Sequence, residues 1–231
     1  MRRTIIVLGI IGLLGFITFR TLFGGATISW HQRLTVIVQT PSGEVRGSSV
    51  TEITKVETSG GLLVTPEARG VSSHVRGEGV AVEILPGRWL FALLGGAGHW
   101  VYPAIIYPSE PDPMKRSYSH SMQIVKSQPH DLPVALPKDA FPSFVTFDDT
   151  SKPETVRQVK PEDFAAVFGS GVRLKAVTIE LTDAAVTKGA MLAVLDWLGP
   201  YPETAILPKI NPTDFSFEAK LRQGEFVRRI K

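Results

Sequence analysis

Apolar and polar residues alternate from Arg33 to Gln39. Leu34, Val36 and Val38 fall on one face, with Arg33, Thr35, Ile37 and Gln39 on the other. A period of two predicts a strand with one buried face. Pro41-Ser42-Gly43-Glu44 reads as a turn, because Pro presets φ and Gly adds freedom. A second strand is expected from Val45 to Val56. Trp30, opening the first strand, is expected to plug the core. Gly60-Gly61 breaks the pattern, and Thr65 to Gly77 reads as a loop holding at most a short strand. Gly79 to Leu85 and Trp89 to Leu94 flank Pro86-Gly87 as a second hairpin. Pro-Gly favours a type II turn, whereas tight hairpins prefer primed turns. A slightly longer loop is therefore expected there. The strand after it is apolar on both faces and should be central and covered.

Beyond this hairpin the pattern loosens. Gly95-Gly96-Ala97-Gly98 reads as a flexible turn, followed by an apolar piece from His99 to Tyr107 that Pro103 interrupts. Ser109 to Lys138 is rich in Pro and reads as a long connection with one or two helical turns between Met114 and Val125. Phe144 to Phe147 predicts a strand. Pro161 to Phe168 predicts a short helix, with Pro at N1, Glu162 and Asp163 at the positive end, and Phe164, Val167 and Phe168 on one face. Gly169 stops it. Val172 to Thr182 alternates as a strand. Thr187 is expected to cap a last helix reaching Leu198. Residues 208–231 read as a weakly periodic basic tail, with a strand around Phe215 to Leu221. Strands joined mostly by turns predict an α+β fold: a mainly antiparallel β domain, residues 27–207, with two short helices.

The remaining pattern is the run from Ile5 to Phe19, which carries no charge. As a helix it rises only about 22 Å, short of the roughly 30 Å of a bilayer core. It reaches spanning length if Thr4 and the residues to Ala26 join it, with Arg20 snorkelling to the interface. Residues 1–26 are thus read as one N-terminal transmembrane helix. Arg2 and Arg3 favour a cytoplasmic start and a periplasmic body, at a bacterial inner membrane. A cleaved signal peptide, with Gly24 and Ala26 before the cut, stays open, as does a core helix.

Charge adds one exclusion. The formal net charge is +3. Arg2, Arg3 and Arg20 account for it, leaving 22 basic against 22 acidic residues in the rest. Nucleic-acid binding rests on phosphate neutralisation by a basic surface, so no nucleic-acid partner is expected. The chain has no Cys, which removes disulfides, thiol catalysis and thiolate metal sites.

Several motifs carry a resemblance. Val145-Thr-Phe-Asp-Asp149, Pro153-Glu-Thr-Val-Arg157, Lys160-Pro-Glu-Asp-Phe164, Phe168-Gly-Ser-Gly-Val-Arg-Leu-Lys175 and Thr178-Ile-Glu-Leu-Thr-Asp183 occur in order, then Val186-Thr-Lys-Gly189 and Trp197-Leu198. Together with Thr35 to Val50 they resemble a family of uncharacterised, membrane-anchored proteobacterial envelope proteins. The resemblance implies an anchored protein of that kind and no activity. Lys160 departs from it, since an acidic helix cap is expected there.

Candidate chemistry is sparse. Trp89, Trp100, Tyr102 and Tyr107 form the densest aromatic region, a candidate binding surface or interfacial belt if it is not core. His120 and His130 lie in the Pro-rich connection beside Ser117, Ser119, Ser121 and Asp131, and extend that candidate surface. The same histidines would serve a dispersed hydrolase site, because triads are set by geometry and not by order. No nucleophile elbow is present. Gly95 to Gly98 lacks the Lys-Ser/Thr of a phosphate loop, and no cofactor or metal motif emerges. The expectation is a membrane-anchored envelope protein, held through residues 4–26. It acts as a binding or structural module, with another envelope protein as a partner. An envelope hydrolase with a His-containing site is the alternative.

Overall fold

The computed structural model describes residues 25–58, 65, 67, 69–207 and 213–228. The expected transmembrane segment lies outside them up to residue 24. Gly25 and Ala26, counted with that segment by the sequence, instead open the first strand. No helix among the described residues is long and apolar enough to cross a membrane.

The architecture is antiparallel β with a few short helices. Strands β1 (Gly25–Thr40) and β2 (Gly43–Thr58) form the long first hairpin. Its turn is Pro41-Ser42, and Gly43 takes φ +125°. The region expected as a loop carries strand β3 (Gly70–Glu78). Next come β4 (Val80–Leu85), β5 (Arg88–Ala92), β6 (Val134–Ala135), β7 (Phe144–Phe147), β8 (Val156–Val159), β9 (Arg173–Leu181) and β10 (Val227–Arg228). A six-stranded sheet has the order β10-β3-β2-β1-β9-β6, and a four-stranded sheet the order β4-β5-β7-β8. The α-helices of four or more residues among the described residues are α1 (Tyr118–Ser127), α2 (Phe164–Phe168) and α3 (Phe217–Lys220), beside short 3-10 and π pieces.

The described chain divides into two compact units. The described part of the smaller is residues 25–29, 54–58, 65, 67 and 69–74, from β1, β2, β3 and the connection before β3. In it Ser29 Oγ and Thr54 Oγ1 are 2.8 Å apart, and the buried Lys55 donates to Ser73 Oγ at 2.5 Å. Burial lowers the pKa of that ammonium. The larger unit holds everything from Trp30 to Ile53 and from Val75 onward.

In the larger unit, Leu34, Val36 and Val38 are buried as the alternation requires. Trp30 is only half-buried, so it is not a core plug. Strand β5 is central, between β4 and β7, and Leu90, Phe91 and Ala92 are all buried. The Pro86-Gly87 turn is tight, not lengthened. The conflict with strand twist is taken up by a bulge between Glu83 and Leu85, which adds local twist. Gly87 N donates to Glu83 Oε1 at 2.8 Å. Gly47 marks where β2 passes β4: a Cβ there would lie 2.6 Å from Ala81 O.

The core is built on one face of the four-stranded sheet. Phe91, Val145, Phe147 and Val156 meet Met191, Leu195, Leu198, Leu221 and Phe226. Phe91 and Phe147 stack edge to face at 5.5 Å, and Phe226 closes on both. On the other face Phe144 meets Phe164 of α2 at 6.0 Å.

Two expectations for the last third are corrected. Residues 187–198 form successive turns, not a helix. Thr187 does not cap; its hydroxyl accepts from Val50 N at 2.9 Å and its N–H donates to Val50 O at 3.0 Å, so it is held to β2. The free N–H groups of Gly189 and Met191 are satisfied by the buried Glu78 carboxylate of β3. The chain after 212, expected as a tail with a strand at 215–221, instead makes α3, a bridge from Arg222 to Ala205, and β10 paired to β3. It completes the core through Leu221 and Phe226.

Candidate functional site

Three segments of the larger unit meet around a cavity of about 610 Å³. The first is the turn Gly95-Gly96. Gly96 takes φ +85°, and a Cβ there would sit 3.4 Å from Trp100 Nε1. A 3-10 turn, Ala97–His99, follows. It is fastened from β1, where the buried Gln32 amide donates to Ala97 O at 2.8 Å. Trp30 Nε1 donates to Gln32 Oε1 at 3.1 Å, which orients that amide.

The second segment is a π-helix, Tyr102–Ile106, continued by a short α turn, Tyr107–Ser109. Proline is its cause. Pro108 has no N–H, and its ring would clash with the carbonyl four residues back in an α-helix. A wider turn relieves this, and Tyr107 N donates to Tyr102 O, five residues back. In an α-helix those two side chains would point about 140° apart. Here they share a face, with ring centroids 6.2 Å apart. His99 joins them, 5.9 Å from Tyr102. The guanidinium of Arg116 lies 4.5 Å from the centre of the Tyr107 ring, a cation–π contact. Burial, then the neighbouring Tyr107, raises the Tyr102 pKa above the ordinary phenol value, so the hydroxyl stays protonated at neutral pH.

The third segment is the 3-10 turn Lys138–Ala140 with Phe141. It brings Asp139, Ala140 and Phe141 to the cavity. Phe141 is set by an edge contact with Phe144 at 6.5 Å. The chain before it is tied to β9 by pairing of Val134 with Ile179 and by Leu136 N donating to Val177 O at 2.9 Å.

Of the residues singled out from sequence, Trp100, Tyr102 and Tyr107 come together here. Trp89 does not. It lies on β5, half-buried, and stacks on Phe91 at 6.5 Å. His120, near the start of α1, pairs with Glu110 at 3.5 Å, and His130 pairs with Asp183 at 2.9 Å. Neither histidine lines the cavity, and each has its own carboxylate. His130–Asp183 has the form of a base and its orienter, but no hydroxyl is bonded to either imidazole among the described residues. His99, Asp139 and Phe141 were not legible as site residues. His99 had one signal, its place beside Trp100 in the aromatic stretch. Asp139 and Phe141 arrive from some forty residues further along the chain, and only the pairing of β6 with β9 places them.

A second concavity, about 430 Å³, lies by the junction of β3 and β10. It is lined by Arg76, Glu78, Lys188 and Arg228 among others. Arg76 is paired with Glu52, and Arg228 with Glu225 at 3.2 Å, while Glu78 is engaged by Gly189 and Met191. Its charges are thus largely used within the protein. No group of three or more His, Asp or Glu residues suited to a metal ion exists among the described residues.

No protein-family model, curated protein or solved structure matches the chain.

Proposed function

We propose that this chain is a membrane-anchored envelope protein whose body binds a ligand in the aromatic cavity. The anchor is the apolar run after Arg2 and Arg3, with the body periplasmic. The observation that carries the binding reading is the cavity itself: three tilted rings from one π turn and its flank, with one carboxylate and one indole N–H on the same lining. An apolar wall with a few convergent polar groups is the usual form of a small-ligand site, and the volume falls in the usual range of about 300–1,000 Å³. The rings are also pre-positioned: Gln32 fixes one side and Phe141–Phe144 the other, so little ordering opposes binding.

The hydrolase reading has the His130–Asp183 pair in its favour, but no hydroxyl is bonded to either side chain among the described residues. A thermal-shift screen of the full chain tests the binding reading, using neutral sugars, amines, aromatic acids and short peptides. Some compound raises the melting temperature of the native chain but not of Ala140→Phe, whose ring intrudes into the cavity. If nothing shifts the native chain, or hits shift both chains alike, the cavity is not the binding site. Alkaline extraction of membranes tests the anchor. Retention of the intact chain in the pellet supports it, and release contradicts it.

A further inference from the structure

We infer that the ligand of this cavity is a neutral pyranose unit, free or at the end of a polymer. This rests on the cavity being the binding site. Two polar groups narrow the chemistry. Trp100 is only 4% exposed, and its Nε1–H has no acceptor in the protein among the described residues. Trp100 nevertheless lines the cavity, and beside its Nε1 Gly96 carries no side chain. Asp139 is exposed, lines the same cavity, and makes no ion pair or hydrogen bond among the described residues. The site therefore presents an indole donor and a carboxylate acceptor, beside the Tyr107 hydroxyl that can do either, with ring faces around them.

Ligand classes answer to this differently. A quaternary or primary ammonium suits the rings and the carboxylate. It leaves the buried indole donor without a partner and facing a positive charge, which is unfavourable. A carboxylate or phosphate ligand suits the indole N–H but is repelled by Asp139. A purely apolar ligand leaves both polar groups desolvated and unpaired. A pyranose satisfies all three features. Its C–H face lies against a ring, one hydroxyl accepts from Trp100 Nε1–H, and a second donates to the Asp139 carboxylate. The cavity volume suits a unit of one or two sugar rings. A carboxylate acceptor makes the stronger, charge-assisted kind of hydrogen bond.

The test uses the full chain in phosphatidylglycerol nanodiscs, which carry no sugar and no quaternary ammonium. Saturation-transfer difference NMR is recorded with methyl glucopyranoside, methyl mannopyranoside, methyl 2-acetamido-2-deoxyglucopyranoside and, as the cationic probe, tetramethylammonium. At least one pyranoside is expected to bind saturably, with transfer strongest at its ring C–H protons. Asp139→Ala, a surface change that leaves the core intact, should weaken it about tenfold or more. Trp100→Phe, which keeps a ring and removes the N–H, should weaken it as well. Saturable binding of tetramethylammonium with no pyranoside bound overturns the sugar assignment while leaving the cavity as the ligand site. Pyranoside binding that Asp139→Ala does not change also overturns it, since the sugar then sits elsewhere. If no probe binds and the thermal-shift screen is empty too, both readings fall together.

Discussion

At the scale of the residue, two positions show how differently polar groups are treated. Thr51 is 3% exposed, and its Oγ1 is solvent-excluded with no hydrogen-bond partner among the described residues. A buried hydroxyl left unpaired costs free energy that an isosteric methyl does not. Thr51→Val is therefore expected to raise unfolding stability by about 1 kcal/mol, read from urea denaturation; a loss of that size would mean that the hydroxyl has a partner. Asp149 is the opposite case. Its carboxylate accepts from the Ser151 hydroxyl at 2.7 Å and from Ser151 N at 3.0 Å, and lies 3.1 Å from Lys152 Nζ. These contacts, Ser151 foremost, lower its pKa from 3.8 to about 2. A depressed carboxylate pKa stabilises the folded turn above the ordinary value, and the contribution is lost as pH falls through about 2. A carboxyl titration by NMR should place the Asp149 midpoint near there. A midpoint near the ordinary 3.8 would show that the turn contacts do not persist in solution.

At the scale of the element, the π turn decides whether there is a site at all. Its cause is Pro108, whose substitution by Ala restores a donor for the carbonyl of Ala104 and removes the ring clash. Pro108→Ala is expected to relax the segment toward an α-helix and to swing Tyr107 away from Tyr102. The ring-to-ring nuclear Overhauser contacts of the native pair should disappear; their persistence would mean that the π turn is held by packing and not by proline. Elements with a simple period were readable in advance. The alternation in β1 and β9, the Pro161–Asp163 turn that leads into α2 (a 3-10 turn where the sequence predicts the first turn of the helix) and the Gly169 stop all act within a few residues. The π turn was not readable, because Pro103 and Pro108 look like interruptions of an apolar run. The failed helix after Thr187 has a physical reason as well. Local capping chemistry was present, but Val50 of β2 engaged Thr187 and Glu78 of β3 engaged the next amides. Those partners lie more than a hundred residues away in sequence, where no short-range pattern reports them.

At the scale of the whole molecule, the chain after 212 belongs to the fold. Phe226 is fully buried against Phe91, Phe147 and Trp197. Phe226→Ala should destabilise the protein by about 3–5 kcal/mol, whereas the exposed Phe215→Ala should change stability by no more than about 0.5 kcal/mol. Equal small effects on the melting temperature would contradict the core assigned here. The same long-range closure governs the candidate site. Three of the six surface residues foreseen from the sequence converge there, because Trp100, Tyr102 and Tyr107 are near neighbours in the chain. The opposite wall comes from Asp139 to Phe141, which β9 holds in place, and that wall supplies the charge. The central claim is that this cavity is where the protein meets its ligand. The most direct measurement is the indole N–H spectrum of the full chain, titrated with the compounds of the thermal-shift screen. The Trp100 resonance is predicted to shift saturably. The resonances of Trp89 on β5 and of Trp197, whose Nε1 donates to Thr150 O at 2.8 Å, should stay fixed. A Trp100 resonance that no compound moves, or ligand shifts confined to Trp89, would contradict the account.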